Sequence, residues 1–156
     1  MNSDTVVALV SLIAGSLLTF TLESIRHRIS RRESVADSRR LERSKAYVDF
    51  LDVSHEAAHL LGRSTKGCPN PVTDIAGSYW RVDDTVSRRI RVIEVLGGDA
   101  VVAKADALRR ALVTFRSDVG KPDMTYASDE YWSAYEPVAS ARRELIEAAR
   151  ADLHVN

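Results

Sequence analysis

The chain has little with which to build a covalent or nucleotide-handling site. Its one cysteine, Cys68, excludes an intramolecular disulfide and leaves a reducing compartment open. There is no glycine-rich phosphate loop, no Cys-x-x-Cys pair and no Gly-x-Ser-x-Gly elbow. No basic side chain stands before Arg26, and residues 23–61 hold neither proline nor glycine. Charge of one sign is not in excess either, with 22 basic and 22 acidic residues. The balance is uneven along the chain, however. Residues 23–45 carry eight basic and four acidic side chains, a net of +4, whereas residues 46–156 carry 14 and 17, a net of −3. A nucleic-acid partner would want the basic excess on the folded part, so none is expected. No small-molecule substrate is indicated.

What is present begins at the N-terminus. Thr5 to Leu22 is a run of 18 residues without a charge. A bilayer core takes about 17–25 apolar residues as a helix. Ser11, Ser16, Thr19 and Thr21 are tolerable there, since a hydroxyl bonds back to a carbonyl one turn earlier. A cleaved signal peptide would want positive charge before the run and a small-x-small site after it. The run is instead preceded by Met-Asn-Ser-Asp and followed by Glu23-Ser24-Ile25-Arg26. The expectation is a transmembrane helix, with a buried soluble helix as the alternative. Arg26, Arg28, Arg31 and Arg32 follow the span, and positive-inside then places the C-terminal part in the cytoplasm. The same arginines suit anionic headgroups, at about 1 kcal/mol each. Ser11, Gly15 and Thr19 recur every fourth residue, a small-residue face that would let two membrane helices approach closely.

The chain therefore divides into a tail at 1–4, a transmembrane helix at 5–22, a basic juxtamembrane stalk at 23–40 and a cytoplasmic helical bundle at 41–156. From Leu41 the apolar content rises, with Tyr47, Val48, Phe50, Leu51, Ala57, Ala58, Leu60 and Leu61 marking a packed helix that Gly62 stops. Gly67-Cys68-Pro69-Asn70-Pro71 is a loop. A second helix runs from Thr73 to Leu96, with Ile75, Tyr79, Val82, Val86, Ile90 and Ile93 in one stripe. Gly97-Gly98 ends it and Asp99 caps the next, which spans Ala100 to Ser117 with Val101, Ala105, Leu108, Leu112 and Phe115 on one side. A fourth covers Ser128 to Leu153, burying Val138, Ala141, Leu145, Ala148, Ala149 and Leu153, and either kinks or begins at Pro137. The fold class expected is all-α: an N-terminal transmembrane helix continuing into an antiparallel four-helix bundle.

Three blocks, Ala46 to Leu51, Val92 to Val101 and Glu144 to Leu153, resemble a group of small helical, often membrane-anchored proteins of high-GC Gram-positive bacteria and their phages. These are packing motifs. The resemblance implies a helical fold and a phage or defence-related setting, and it assigns no activity and no functional residue.

The sharpest chemical pattern is His55-Glu56-Ala57-Ala58-His59, which matches His-Glu-x-x-His. In that pattern two histidines one turn apart hold zinc and the glutamate activates the metal's water. Gly62 falls where the longer form of the motif wants glycine, but Thr65 stands where it wants a third histidine. Asp74, Asp83, Asp84 and Glu94 are substitutes on paper. Zincin helices usually lie against a β-sheet, and no strands are expected upstream of this one; Ile90 to Val95 could be a strand by β-branching, but the stripe enters it in phase and favours helix. Tyr126, Tyr131, Trp132 and Tyr135, with Tyr79 and Trp80, form an aromatic concentration that reads as a satellite core closing the bundle end, or as a partner surface. Arg88, Arg89 and Arg91 near Asp83 and Asp84 read as a solvated charged face. Cys68 reads as passive.

The leading expectation is a membrane-anchored helical interaction or scaffold module in the inner (cytoplasmic) membrane, single-pass, N-terminus out. Its partners would be the lipid bilayer and another protein or a second copy, with no catalytic residue and no cofactor. The alternative from another class is a membrane-tethered zinc hydrolase using His55, Glu56 and His59. A third is an envelope-spanning lysis or stalk protein with its domain outside, against which the arginines argue.

Overall fold

The computed structural model describes residues 36–72 and 74–154. The expected tail, the span at 5–22, its contact residues Ser11, Gly15 and Thr19, and Arg26, Arg28, Arg31 and Arg32 lie outside the described residues. Among the described residues no helix is long and apolar enough to cross a membrane. The chain divides into two units at the Arg40–Leu41 boundary. Of the first, residues 36–40 are described, and they are helical and exposed.

The described part of the second unit is a helical bundle. Helix α1 covers residues 41–64, α2 is Ile75–Leu96, α3 is Asp99–Val119 and α4 is Asp129–His154. No strand is present among the described residues. One isolated bridge, Lys66 with Thr125, ties the α1–α2 connection to the α3–α4 connection, where the Tyr126 amide donates to the Lys66 carbonyl at 2.9 Å.

Each helix starts and stops for a local reason. The Asp74 carboxylate accepts from the Gly77 amide at 3.0 Å and caps α2. The Gly97 amide closes α2 on the Ile93 carbonyl at 2.7 Å. The cap of α3 differs from the expectation: Gly98 is the N-cap and offers no side chain, while Asp99 is the first helical residue. Its carboxylate still favours the positive end of the helix dipole. Ser128 Oγ accepts from the Tyr131 amide at 3.2 Å, and Asp129 and Glu130 fill the acidic first turn of α4. A backbone hydrogen bond and the Ser128 side chain hold the Glu130 carboxyl below its ordinary range. Helix α4 passes through Pro137 and does not begin there.

Contacts far apart in sequence orient the helices. Tyr47 on α1 meets Asp152 near the end of α4, while Gly62 near the end of α1 lies against Tyr131 near the start of α4. Asp49 pairs with Arg89 across α1 and α2 at 3.1 Å, and Lys104 with Glu144 across α3 and α4 at 2.7 Å. Arg116 near the end of α3 stacks on Tyr79 and Trp80 near the start of α2. Every one of these pairs joins an early position to a late one, so neighbouring helices run antiparallel. The fully enclosed side chains include Tyr47, Phe50, Ile93, Val101, Leu108, Phe115 and Leu145.

Two expectations for α1 are corrected. Val48, expected on the packed face, is 52% exposed. Gly62 was placed at the helix stop, yet the helix continues to residue 64 and Gly62 is buried inside it. A Cβ there would stand 2.5 Å from Tyr131 Oη. The glycine is a point of close approach between α1 and α4.

Candidate functional site

Helix α1 presents His55 and His59 one turn apart, both exposed, with ring centroids 6.4 Å apart and planes inclined by 36°. Glu56 is exposed beside them. Their spacing is that of two ligands to one metal ion. The same turn does not supply a third. Thr65 is buried, and its hydroxyl donates to the Leu61 carbonyl at 3.2 Å. Three of the four substitutes are held elsewhere: Asp74 caps α2, Asp83 accepts from the Tyr79 hydroxyl at 3.3 Å, and Asp84 pairs with Arg88, while Glu94 is exposed on α2. Among the described residues no group of three His, Cys, Asp or Glu gathers closely enough to hold a metal ion.

The aromatic concentration divides into an inner and an outer layer. Phe115, fully buried on α3, lies edge-on to Tyr131 at 5.6 Å and to Tyr135 at 5.5 Å. Tyr131 in turn contacts Tyr126 at 5.3 Å and Trp132 at 5.1 Å. These rings close the core, as the bundle-end reading expects. The two indoles do not. Trp132 is 53% exposed and Trp80 is 61% exposed, the latter flanked by the Arg116 guanidinium at 5.1 Å. Arg116 also lies 4.0 Å above the Tyr79 ring, which fixes the guanidinium between two aromatic faces. The starts of α2 and α4 and the end of α3 come together at one end of the bundle, so both indoles flank the last turns of α3. Sequence spacing alone did not identify Phe115 or Arg116 as the centre of this assembly.

The expected solvated charge face is in part a helix–helix contact. Arg88 pairs with Asp84 along α2, but Arg89 reaches Asp49 on α1. At the opposite end of the bundle, the Tyr47 hydroxyl donates to Asp152 Oδ2 at 2.6 Å, and Arg43 Nη1 approaches the same oxygen at 3.4 Å. A Cβ at Gly98 would stand 2.5 Å from Asp152 Oδ1, so the turn between α2 and α3 is seated directly on this pair.

Burial sets the ionisation of three tyrosines. Desolvation raises Tyr47, and the carboxylate of Asp152 beside it adds to the effect. Desolvation also raises Tyr79, with the Asp83 charge second. Desolvation and the neighbouring Tyr126 push Tyr131 up to about 12. An unfolded tyrosine ionises near 10. Each of these groups therefore binds its proton more tightly when folded. The stability this contributes is fully present below about pH 10 and is lost as pH rises through the folded values. The urea midpoint is expected to hold steady through neutral pH and fall between pH 10 and 12, with tyrosinate absorbance rising in step with unfolding.

An open depression of about 630 Å³ lies at the α3–α4 connection, where Asp118, Asp123, Asp129, Glu130 and Lys121 meet Met124. Lys121 is already tied to Asp118 at 2.6 Å, which raises its ammonium. The depression is open and lined mainly by acidic groups. Cys68 is half-buried in the α1–α2 connection. Comparison of the chain with family models, with curated protein sequences and with solved structures finds no match to any of them.

Proposed function

We propose that the chain is a membrane-anchored helical interaction module. The uncharged run from Thr5 to Leu22 is its anchor, Arg26, Arg28, Arg31 and Arg32 hold the following chain at the cytoplasmic leaflet, and the bundle binds a protein partner. The observation that carries the binding part is the pair of indoles. Tryptophan is large and apolar enough that leaving most of it in water is unfavourable, and it dominates binding hot spots. Trp80 and Trp132 are each more than half exposed at one end of the bundle, on a base of buried rings that holds them in place. Leu41, where the chain enters the bundle, lies at the other end. A partner reaching the indoles would thus meet the end far from the point of entry.

Photo-crosslinking in living cells tests this reading. A photoreactive residue at position 80 or 132 is expected to give a discrete adduct, and one at the exposed Glu147 on α4 none. Equal labelling at all three positions, or none at any, contradicts it. On the sidedness of the domain, an impermeant maleimide is expected to reach Cys68 only after the cells are permeabilised.

A further inference from the structure

The outer face of α1 carries a ligand pair without an assigned use. His55 and His59 are both exposed, and their ring centroids lie 6.4 Å apart. Side chains at this spacing have Cβ atoms about 5–6 Å apart. Both imidazoles then reach one ion at about 2.0–2.1 Å after small rotations about exposed side-chain bonds. Nothing opposes those rotations, since no hydrogen bond or ion pair among the described residues holds either ring. Two exposed carboxylates on the same stretch of helix, Asp52 and Glu56, make the local potential favourable to a cation. Imidazole is a borderline donor suited to zinc, and zinc takes four ligands in tetrahedral array.

The described residues of one chain supply two of the four. A twofold axis would supply the rest, because it would present the same pair again from a second copy. The surrounding face offers such a copy two exposed apolar side chains. Leu41 and Val48 are 72% and 52% exposed, and they precede His55 at intervals of seven residues, which keeps all three on one side of a helix with a drift of only about 20° per heptad. Lys45 and Asp52 precede His59 at the same intervals. A second α1 laid along the first covers both apolar residues and sets the two histidine pairs opposite each other. We propose that His55 and His59 of two copies form one intermolecular four-imidazole zinc site that joins the bundles along α1. This goes beyond the anchored-module reading and does not depend on it.

The full chain, purified in detergent, stripped with a chelator and titrated with zinc chloride, tests the proposal. The expected result is one zinc per two chains, with four nitrogen neighbours at about 2.0–2.1 Å by X-ray absorption. Stoichiometry decides the matter whether or not the chains are already paired through another segment. Loss of groups that merely support a ligand weakens metal binding about 10–100-fold. His55→Gln and His59→Gln remove ligands and are each expected to weaken it by at least about 100-fold. Both residues are exposed, so the helical circular dichroism of these variants should match the wild type. Glu56→Gln removes one favourable charge but no ligand, so it should weaken zinc binding far less than either histidine variant. One zinc per chain, no uptake, uptake unchanged in His55→Gln, or loss of zinc in Glu56→Gln would each overturn the four-imidazole site. None of these results bears on membrane association.

Discussion

Replacing Phe115 with alanine is expected to lower the stability of the bundle by about 3–5 kcal/mol, the usual cost of emptying an aromatic site in a core. Phe115 is fully buried on α3, and its ring meets the edges of Tyr131 and Tyr135 on α4. Each such edge-on contact is worth about 0.5–1.5 kcal/mol beyond burial. The site has little freedom to collapse, because both partner rings are held by others: Tyr131 by Tyr126 and Trp132, and Tyr135 by Trp132. A domain of this size is stable by about 5–15 kcal/mol in total, so the variant should be poorly folded at 37 °C. Urea denaturation followed by circular dichroism measures the loss. Val113→Ala, two residues away but 44% exposed, is the control and should change stability by no more than about 0.5 kcal/mol. A Phe115→Ala loss below about 1 kcal/mol would show that the rings do not form a packed unit.

The second large effect is expected at Gly62, where adding one methyl should destabilise the protein. Alanine in a helix interior ordinarily gains about 1 kcal/mol over glycine. Here the new Cβ would meet Tyr131 Oη at 2.5 Å. The tyrosine cannot swing aside, because its ring is buried and wedged among Phe115, Tyr126 and Trp132. Overpacking of this kind costs about 1–3 kcal/mol and outweighs the helix gain. The reason can be isolated by a double-mutant cycle. In a Tyr131→Phe background the obstructing oxygen is absent, and Gly62→Ala should become neutral or stabilising. If Gly62→Ala stabilises the wild type, α1 and α4 do not approach each other at this point.

Both predictions concern contacts that the sequence did not announce, and the reason is physical. The helices themselves were legible because local patterns define them. The Gly97-Gly98 break and the loop around Pro69 divide the chain, and the three-and-four stripes through Tyr79, Val86, Ile90 and Ile93 and through Val101, Ala105, Leu108, Leu112 and Phe115 all face inward. Local rules misplaced single residues where a neighbouring helix decided the outcome. Gly62 resembles a helix stop until Tyr131 is placed against it. Val48 has an apolar side chain at a position that faces water. Asp99 has the chemistry of a cap but sits one residue inside the helix. The Tyr47–Asp152 hydrogen bond joins residues 105 apart in the chain, a separation at which spacing carries no information.

The candidate site follows the same division. The His55-Glu56-x-x-His59 spacing is a local fact, and the helix reproduces it as a pair on one face. Whether a third ligand joins depends on what other helices bring near. Asp74, Asp83 and Asp84, which were available on paper, are occupied by a helix cap, a tyrosine hydroxyl and an arginine. The aromatic concentration was visible as composition. Its division into buried or half-buried tyrosines and exposed indoles arises from the rotation of α2 and α4 against α3.

The anchored-module account turns on how the uncharged run at 5–22 partitions between lipid and water. The direct measurement is fractionation of cells producing the full chain, followed by washing of the membranes at alkaline pH without detergent. The account predicts that the chain stays with the washed membranes and is released by detergent. Recovery of the intact chain in the soluble fraction would contradict it.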